Sequence, residues 1–208
     1  MNRTGNRIHL LGSSLLVGLL LFIGGVKAQD GESKPVQPTT VYLTEPEALE
    51  EAFPNGKIFL RDTLRLSPEQ VALGREHVRA PMDSLYPVRL AYDEKGRFLG
   101  YAMIMNEVGK YEPITFIVAI TPDFKVKKVA IMVYRESRGG EVRYPRFLYQ
   151  YKGKTVRDPL QTRRDIINIS GATLSVRAVN RGVRKALFVI TTGYQAHPPA
   201  STIQVAHE

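Results

Sequence analysis

The chain has 208 residues, of which 43% are hydrophobic and 24% charged, a composition typical of one globular domain with polar extensions. It contains no cysteine, which excludes disulfides, thiolate zinc sites, iron–sulfur clusters and covalently attached c-type haem, and its four histidines are too scattered to predict a metal site. The net charge of +9 suits an anionic ligand or surface, but we find no basic and aromatic module of the nucleic-acid-binding kind, so no nucleic-acid partner is expected.

Residues 1–28 have the pattern of a secretory signal peptide. Two arginines precede an apolar run from Leu10 to Val26, and the run ends in a small-x-small pattern typical of a cleavage site. An uncleaved membrane anchor is the alternative, because about 17 apolar residues can span a bilayer. With either reading the domain is expected in the periplasm or on the exterior of the cell envelope. The polar, proline-bearing residues 29–43 predict a linker.

The segment 44–84 carries the start signals of two helices. Thr44 precedes a proline and several acids, and Ser67-Pro68-Glu69 repeats that pattern, as helix N-termini prefer. Between them, Lys57 to Leu66 alternates weakly enough to predict one strand. We therefore expect a helix, a strand and a second helix before the main sheet.

After Leu85 the chain changes to short runs of β-branched and aromatic residues separated by turn residues. The predicted strands are Val88–Tyr92, Arg97–Met105, Ile114–Ile120 and Val126–Tyr134. Their connections are too short for parallel crossovers, so they predict an antiparallel meander. Ile114–Ile120 is apolar at almost every position, which predicts a central strand covered on both faces.

A long amphipathic helix is predicted from Leu174 to Tyr194, because apolar residues recur there at three- and four-residue spacing. The opposite side carries basic residues that we interpret as a solvated surface, namely Arg177, Arg181, Arg184 and Lys185. Residues 196–208 have no period and predict a loose tail. The whole pattern favours a single α+β domain, with an antiparallel β-meander sheet packed by helices.

The start of the long helix is the first stretch that points to a ligand. Ser170-Gly171-Ala172-Thr173 places two hydroxyls and two small residues where a loop becomes a helix, and such a junction offers unpaired backbone N–H groups to an anion. Helix capping by Thr173 or Ser175 is the alternative reading.

A second stretch follows the last predicted strand. Gly139-Gly140 can bring the backbone close to a planar ligand, although a plain turn is the alternative. Residues 135–164 hold nine arginines and lysines against three acids, with four aromatic residues among them. That mixture suits a phosphate attached to an aromatic ring system; it also suits a nucleic-acid strand, which an exported chain rarely meets.

The motif Ser170-Gly171-Ala172-Thr173-x-Ser175 resembles the flavinylation motif of the FMN-binding domain family, which includes FMN-bearing subunits of the sodium-pumping quinone reductase and Rnf complexes. The resemblance implies FMN joined through a phosphoester to Thr173, attached from FAD by a separate magnesium-dependent flavin transferase. A threonine hydroxyl is a weak nucleophile without an activating base, which explains why a separate enzyme would be needed. The resemblance covers about residues 85–195, the usual extent of one such domain.

The family also carries a Glu-Ser/Thr-x-Gly element at the end of a strand, and Glu136-Ser137-Arg138-Gly139 resembles it. The expected cofactor-binding residues are therefore Thr173, Ser170, Gly171, Ala172, Ser175, Glu136, Ser137, Arg138, Gly139 and Gly140. The sequence departs from the family at Ile167, where an aspartate is usual three residues before the motif's serine. Asp165, two residues further back, is the carboxylate that could serve instead.

These residues predict an exported electron carrier that passes electrons between membrane or periplasmic redox partners and has no catalytic residues of its own. Two alternatives stay open. One is an exported binding module of the same fold without covalent flavin. The other is a flavin-dependent reductase, for which Glu136, Glu141 and Arg138 are the candidate proton-transfer residues.

Overall fold

The structure, a computed structural model, describes residues 39–205. The predicted signal peptide and most of the predicted linker lie outside the described residues. The described elements are β1 (Thr40–Val41), α1 (Glu45–Ala52), β2 (Ile58–Arg65), α2 (Pro68–Val78), β3 (Leu85–Tyr92), β4 (Phe98–Val108), β5 (Pro113–Ile120), β6 (Val126–Tyr134), α3 (Pro145–Leu148) and α4 (Thr173–Tyr194), with short 3₁₀ helices at Gly140–Arg143 and Tyr149–Tyr151. None of the helices within residues 39–205 is long and apolar enough to cross a membrane.

The six strands form one antiparallel sheet in the order β1-β6-β5-β4-β3-β2. Strands β2 to β6 are neighbours in chain order, which confirms the predicted meander, and β1 adds two residues beyond β6. The predicted α+β fold, with its sheet packed by helices, is thereby confirmed.

The two helix starts follow their sequence signals. The backbone N–H of Thr44 donates to Glu47 at 2.8 Å, and the N–H of Ser67 donates to the Gln70 side chain at 2.8 Å. At α2 the bond is reciprocal, because the N–H of Gln70 donates to Ser67 Oγ at 3.2 Å and one of the helix's first free amide groups is thereby satisfied.

Helices cover both faces of the sheet. On one face, α1 packs on β6 and β5, and its buried residues share a cluster with alanines of β3, β4, β5 and β6, whose small side chains let the helix approach closely. On the other face, α4 packs on β4 and β5 and also contacts α2. The side chains of Phe116 and Ile117 point to opposite faces and both are fully buried. This confirms that β5 is the central, doubly covered strand.

The basic side of α4 differs from its prediction as a solvated surface. Arg181 and Lys185 both form salt bridges with Glu107, whose side chain is only 6% exposed. Arg184 donates to the carbonyl of Leu160 at 2.8 Å, and Arg177 remains exposed. The prediction was wrong for three of the four residues. The prediction failed because β4 continues past its predicted end at Met105, and this extra length places Glu107 beneath α4.

Part of the predicted tail is attached to the sheet. The N–H of Phe98 donates to the carbonyl of Ser201, and the N–H of Ile203 donates to that of Gly96, each at 2.9 Å. Residues 201–203 therefore pair beside the start of β4 and are not loose. This attachment is made by backbone hydrogen bonds, which need no regular pattern of hydrophobic side chains, so the sequence of the tail gave no sign of it.

Candidate cofactor site

The two stretches that the sequence singled out lie on opposite sides of one cavity of ≈ 500 Å³. This volume is within the range of small-molecule sites. Its lining residues come from the β4–β5 turn, the loop after β6 and the start of α4: Lys110, Tyr111, Glu136, Ser137, Arg138, Gly171, Ala172, Thr173, Leu174 and Ser175. The fold thus brings together segments that are more than sixty residues apart in the chain.

The start of α4 is open to an anion. Gly171 has φ +82, a left-handed conformation that turns the loop into the helix. The first intrahelical bond runs from the N–H of Val176 to the carbonyl of Ala172, at 2.9 Å. Within residues 39–205, no side chain caps this helix, so neither Thr173 nor Ser175 serves as its cap. The free N–H groups of the first turn and the helix dipole favour a negatively charged group at this point.

Thr173 is half-buried at the cavity, and within residues 39–205 its hydroxyl has one hydrogen-bond partner, Asn168. The side-chain amide of Asn168 donates to Thr173 Oγ1 at 2.9 Å. This bond orients the oxygen while leaving the hydroxyl proton free to donate elsewhere. Sequence analysis missed Asn168. The feature that could have pointed to it is an amide side chain two residues before Ser170, the first residue of the motif.

Ser175 joins the helix to the loop after β6. Its Oγ lies 2.9 Å from the hydroxyl of Tyr134, which itself donates to the carbonyl of Arg138 at 2.5 Å. Burial raises the pKa of Tyr134, although the bond with Ser175 opposes that shift, so the phenol keeps its proton at neutral pH. The polar groups of Ser175 and Tyr134 therefore hold the two sides of the site together.

The next feature is the pair Gly139-Gly140, which lies in the loop between β6 and α3. Gly139 has φ +89, and a Cβ there would lie 2.6 Å from Ser175 Oγ and 2.8 Å from the Tyr134 hydroxyl. A larger residue would therefore push the loop away from α4. A Cβ on Gly140 would lie 3.7 Å from the ring of Tyr134, which is ordinary contact. Neither glycine is among the residues that line the cavity, and it is Gly139 whose missing side chain lets the loop and the helix approach each other.

Glu136 organises the third side. Its Oε1 accepts hydrogen bonds from three successive backbone N–H groups in the β4–β5 turn, those of Lys110, Tyr111 and Glu112, the last two at 2.8 and 3.2 Å. The carboxylate thereby fixes the turn that brings Lys110 and the 65% exposed Tyr111 to the cavity. Sequence analysis missed both residues, although a basic and an aromatic residue in a short hairpin turn were visible.

The remaining predicted residues differ in whether they line the cavity. Ser137 and Arg138 line the cavity, whereas Ser170 is exposed and lies outside its lining. With Lys110, the guanidinium of Arg138 gives the cavity two cations against the single carboxylate of Glu136. Such a balance favours an anionic ligand.

Asp165 stabilises the loop in which it lies. Its carboxylate accepts from the N–H groups of Leu160 and Gln161, at 3.1 and 2.9 Å, and pairs with Lys154 at 3.0 Å. Burial by itself would raise the pKa of Asp165, but the Gln161 bond and the Lys154 charge outweigh it and lower the pKa. The side chain of Ile167 is 77% exposed. Neither residue lines the cavity next to Thr173.

Comparison with known proteins agrees with this site. The model of a family described as FMN-binding domain matches residues 109–188, which include the β4–β5 turn, the loop after β6 and the motif at the start of α4. A similar solved structure is that of Shewanella oneidensis NqrC, with 18% sequence identity and a TM-score of 0.48. The likeness covers 71% of this chain and 86% of that one. No curated protein sequence matches. The segment 109–188 is therefore similar to an FMN-binding domain, and the three segments that line the cavity lie within it.

Proposed function

We propose that the protein is an exported electron carrier whose FMN is joined through a phosphoester to Thr173 Oγ1. One observation carries the proposal. The hydroxyl of Thr173 lies at a cavity within the segment that is similar to an FMN-binding domain, at a helix start whose amide groups are not capped by a side chain of residues 39–205. A phosphate ester at this oxygen would lie next to groups that favour negative charge.

The residues of the cavity fit this cofactor. The free amides of the first α4 turn, with Lys110 and Arg138, would hold the phosphate. The exposed side chains of Tyr111 and Leu174 offer apolar surface to a planar ring system. When bound, FMN supplies the redox chemistry, and the protein supplies its attachment and orientation.

The surroundings of Thr173 favour attachment by another enzyme. Asn168, the hydrogen-bond partner of Thr173 Oγ1 within the described residues, is a donor and cannot remove the hydroxyl proton. Glu136, the carboxylate of the cavity, already accepts three backbone bonds. Deprotonation of Thr173 is therefore assigned to a separate flavin transferase, which is the proposed maturation partner.

The proposed location is the periplasm or the exterior of the cell envelope, with membrane or periplasmic proteins as electron donor and acceptor. Covalent attachment has a physical advantage there, because a carrier with a tethered cofactor cannot lose it by dilution. The reductase alternative is weakened by the bonding of Glu136, which leaves this candidate acid occupied by the β4–β5 turn.

The test replaces Thr173 with alanine in a chain coexpressed with a flavin transferase. We expect no flavin to remain after denaturation and washing, since the attachment oxygen is gone. The free energy of unfolding of the unflavinylated protein should change by less than about 0.5 kcal/mol, because the Thr173 side chain caps nothing. Thr192→Ala, near the other end of α4, is the matched control and should keep its flavin. A Thr173→Ala protein that stays yellow after denaturation contradicts the proposal.

A further inference from the structure

The segment that follows β6 is helical and amphipathic. It consists of the 3₁₀ helix Gly140–Arg143, α3 and the 3₁₀ helix Tyr149–Tyr151. Its buried side chains belong to the core, namely Val142, Phe147, Leu148 and Tyr151. Its exposed side chains are mostly cations and tyrosines, and we call five of them the basic face: Arg143, Tyr144, Arg146, Tyr149 and Lys152. The segment therefore turns an apolar side to the core and a basic, aromatic side to solvent.

Contacts join the residues of the basic face into one surface. The Arg143 guanidinium lies 5.1 Å from the ring centre of Tyr144, and Lys152 Nζ lies 5.4 Å from that of Tyr149. Three residues of the basic face line a cavity of ≈ 580 Å³ beside β6, and the other two line a second cavity of ≈ 380 Å³ beside the loop that precedes α4. The basic face therefore extends between β6 and that loop.

The basic face has an excess of positive charge and an apolar neighbour. Within residues 39–205, no salt bridge involves Arg143, Arg146 or Lys152. The segment holds one acid, Glu141, in its first turn. The side chain of Ile167, which is 77% exposed, lines the second cavity and adds apolar surface. Exposed cations with tyrosines and an apolar residue are typical of a surface that lies on the headgroups of an anionic membrane.

The chain enters the folded domain next to the basic face. β1 pairs with β6 at the edge of the sheet, and the Arg143 guanidinium lies 4.9 Å from the ring centre of Tyr42, which follows β1. In the sequence, thirteen residues, 27–39, separate β1 from the apolar run Leu10–Val26. A chain of that length reaches at most about 45 Å, so a leader retained as an anchor would keep this edge of the sheet close to the membrane.

We propose that the basic face rests on the surface of a membrane that contains anionic phospholipid. Its cations bind the lipid phosphates, and Tyr144 and Tyr149 lie among the headgroups. The place where the chain enters the domain favours a membrane over an acidic partner protein, because a membrane is the surface that the leader brings to this edge. The inference rests on the proposed export of the chain but not on flavin attachment.

The basic face also lies near the proposed attachment residue. Asn168 lines the second cavity, and its side-chain amide donates to Thr173 Oγ1 at 2.9 Å. Contact between the basic face and a membrane would therefore hold the cofactor cavity near the membrane surface, where membrane-bound redox partners can reach it.

The test compares the full chain on vesicles of phosphatidylcholine and on vesicles in which about one third of the lipid is phosphatidylglycerol. The readout is the rate at which an amine reagent acetylates Lys152, followed by mass spectrometry. We expect phosphatidylglycerol to slow this rate about fivefold, because the anionic headgroups bind the basic face. About 0.5 M salt should remove the protection. Lys57, exposed just before β2 at the opposite edge of the sheet, should react equally fast on both kinds of vesicle.

Two double variants with the same change in net charge test the position of the contact. Arg143→Glu/Arg146→Glu should abolish the protection of Lys152, because it reverses two of the three cations of the basic face. Arg61→Glu/Arg65→Glu is the matched control and should keep the protection, since both arginines are exposed on β2 at the opposite edge of the sheet.

Two single variants separate the causes. Tyr149→Ser should lower the protection of Lys152 about twofold, because the tyrosine, 70% exposed, no longer lies among the headgroups. Thr173→Ala should protect Lys152 as the wild type does, so failure of the membrane contact and failure of the proposed flavin link can be told apart.

Three results would overturn the proposal. They are equal acetylation rates of Lys152 on the two kinds of vesicle, an equal effect of the two double variants, or protection by soluble polyglutamate as strong as that by the anionic vesicles. The last result would assign the basic face to an acidic partner protein.

Discussion

The first turn and the middle of α4 use their polar residues in opposite ways. In the middle, Asn180 accepts from the buried Tyr151 hydroxyl at 2.6 Å, and Arg181 and Lys185 are bound to Glu107. In the first turn, the backbone amides lack a side-chain cap from residues 39–205, and the Thr173 hydroxyl has Asn168 as its one side-chain partner. One helix therefore has polar groups that hold the fold and polar groups left for a ligand.

This contrast separates the expected effects of substitutions. Changes in the middle of α4 or in its partners should lower the free energy of unfolding. Changes in the first turn should instead alter flavin content. The predictions that follow run from the largest expected effect on stability to the smallest.

Glu107→Ala should give the largest loss, about 3 to 5 kcal/mol of the free energy of unfolding. The substitution leaves Arg181 and Lys185 partly buried without their carboxylate. Urea denaturation measures the effect. Arg177→Ala, an exposed residue of the same helix, is the control and should change the value by less than about 0.5 kcal/mol. Similar small losses for both variants would remove the contrast between the two parts of α4.

Asp165→Asn should cost about 2 kcal/mol at neutral pH, because it weakens two backbone hydrogen bonds and the Lys154 pair. The cost should depend on pH. The folded chain lowers the pKa of Asp165, so its stabilising contribution is present above about pH 4 and is lost as the pH falls through the folded pKa.

The stability difference between wild type and Asp165→Asn should therefore shrink as the pH falls below about 4 in urea titrations. Flavin content of the variant should stay near normal, since Asp165 does not line the cavity. Loss of flavin with unchanged stability would instead give Asp165 a role in recognition by the transferase.

Glu136→Gln should cost about 1 to 2 kcal/mol and lower flavin attachment about tenfold at a fixed transferase concentration. The neutral amide accepts more weakly from the three N–H groups of the β4–β5 turn, which then no longer holds Lys110 and Tyr111 at the cavity. Glu141→Gln is the matched control and should behave as wild type. An equal effect of both variants would show that Glu136 acts only through its charge.

Asn168→Ala should have the smallest effect on stability, less than about 0.5 kcal/mol, because its side chain is exposed. It should slow flavin attachment about threefold to fivefold, since one hydrogen bond orients the Thr173 oxygen. The rate of attachment is measured from the flavin fluorescence of protein that is denatured after increasing times of reaction with the transferase. An unchanged rate would mean that Asn168 does not position the hydroxyl.

Much of the fold was predictable because its signals are local. The meander followed from short turns between β-rich runs, and the helix starts followed from Thr44 and Ser67 with their prolines. The basic side of α4 was not predictable in the same way. Glu107 is 74 residues from Arg181 in the chain, and only the length of β4 places them in contact.

The candidate site, like the fold, was predictable from local sequence only in part. Thr173 and Glu136 belong to recognisable motifs, and both line the cavity. Lys110 and Tyr111 lie in an ordinary hairpin turn, and their place depends on the bonds that this turn makes to Glu136. The role of Gly139 is also tertiary, because its missing side chain makes room for Ser175. Local patterns singled out Thr173, the proposed attachment residue, whereas the place of Lys110 and Tyr111 in the cavity wall could be seen only in the folded sheet.

The intact mass of the full chain coexpressed with a flavin transferase tests the proposed link most directly. A phosphoester to Thr173 predicts one added FMN less one water, located by fragmentation on the peptide that contains Thr173. An unmodified mass under conditions where the transferase modifies a known substrate would contradict covalent attachment and favour a binding module of the same fold.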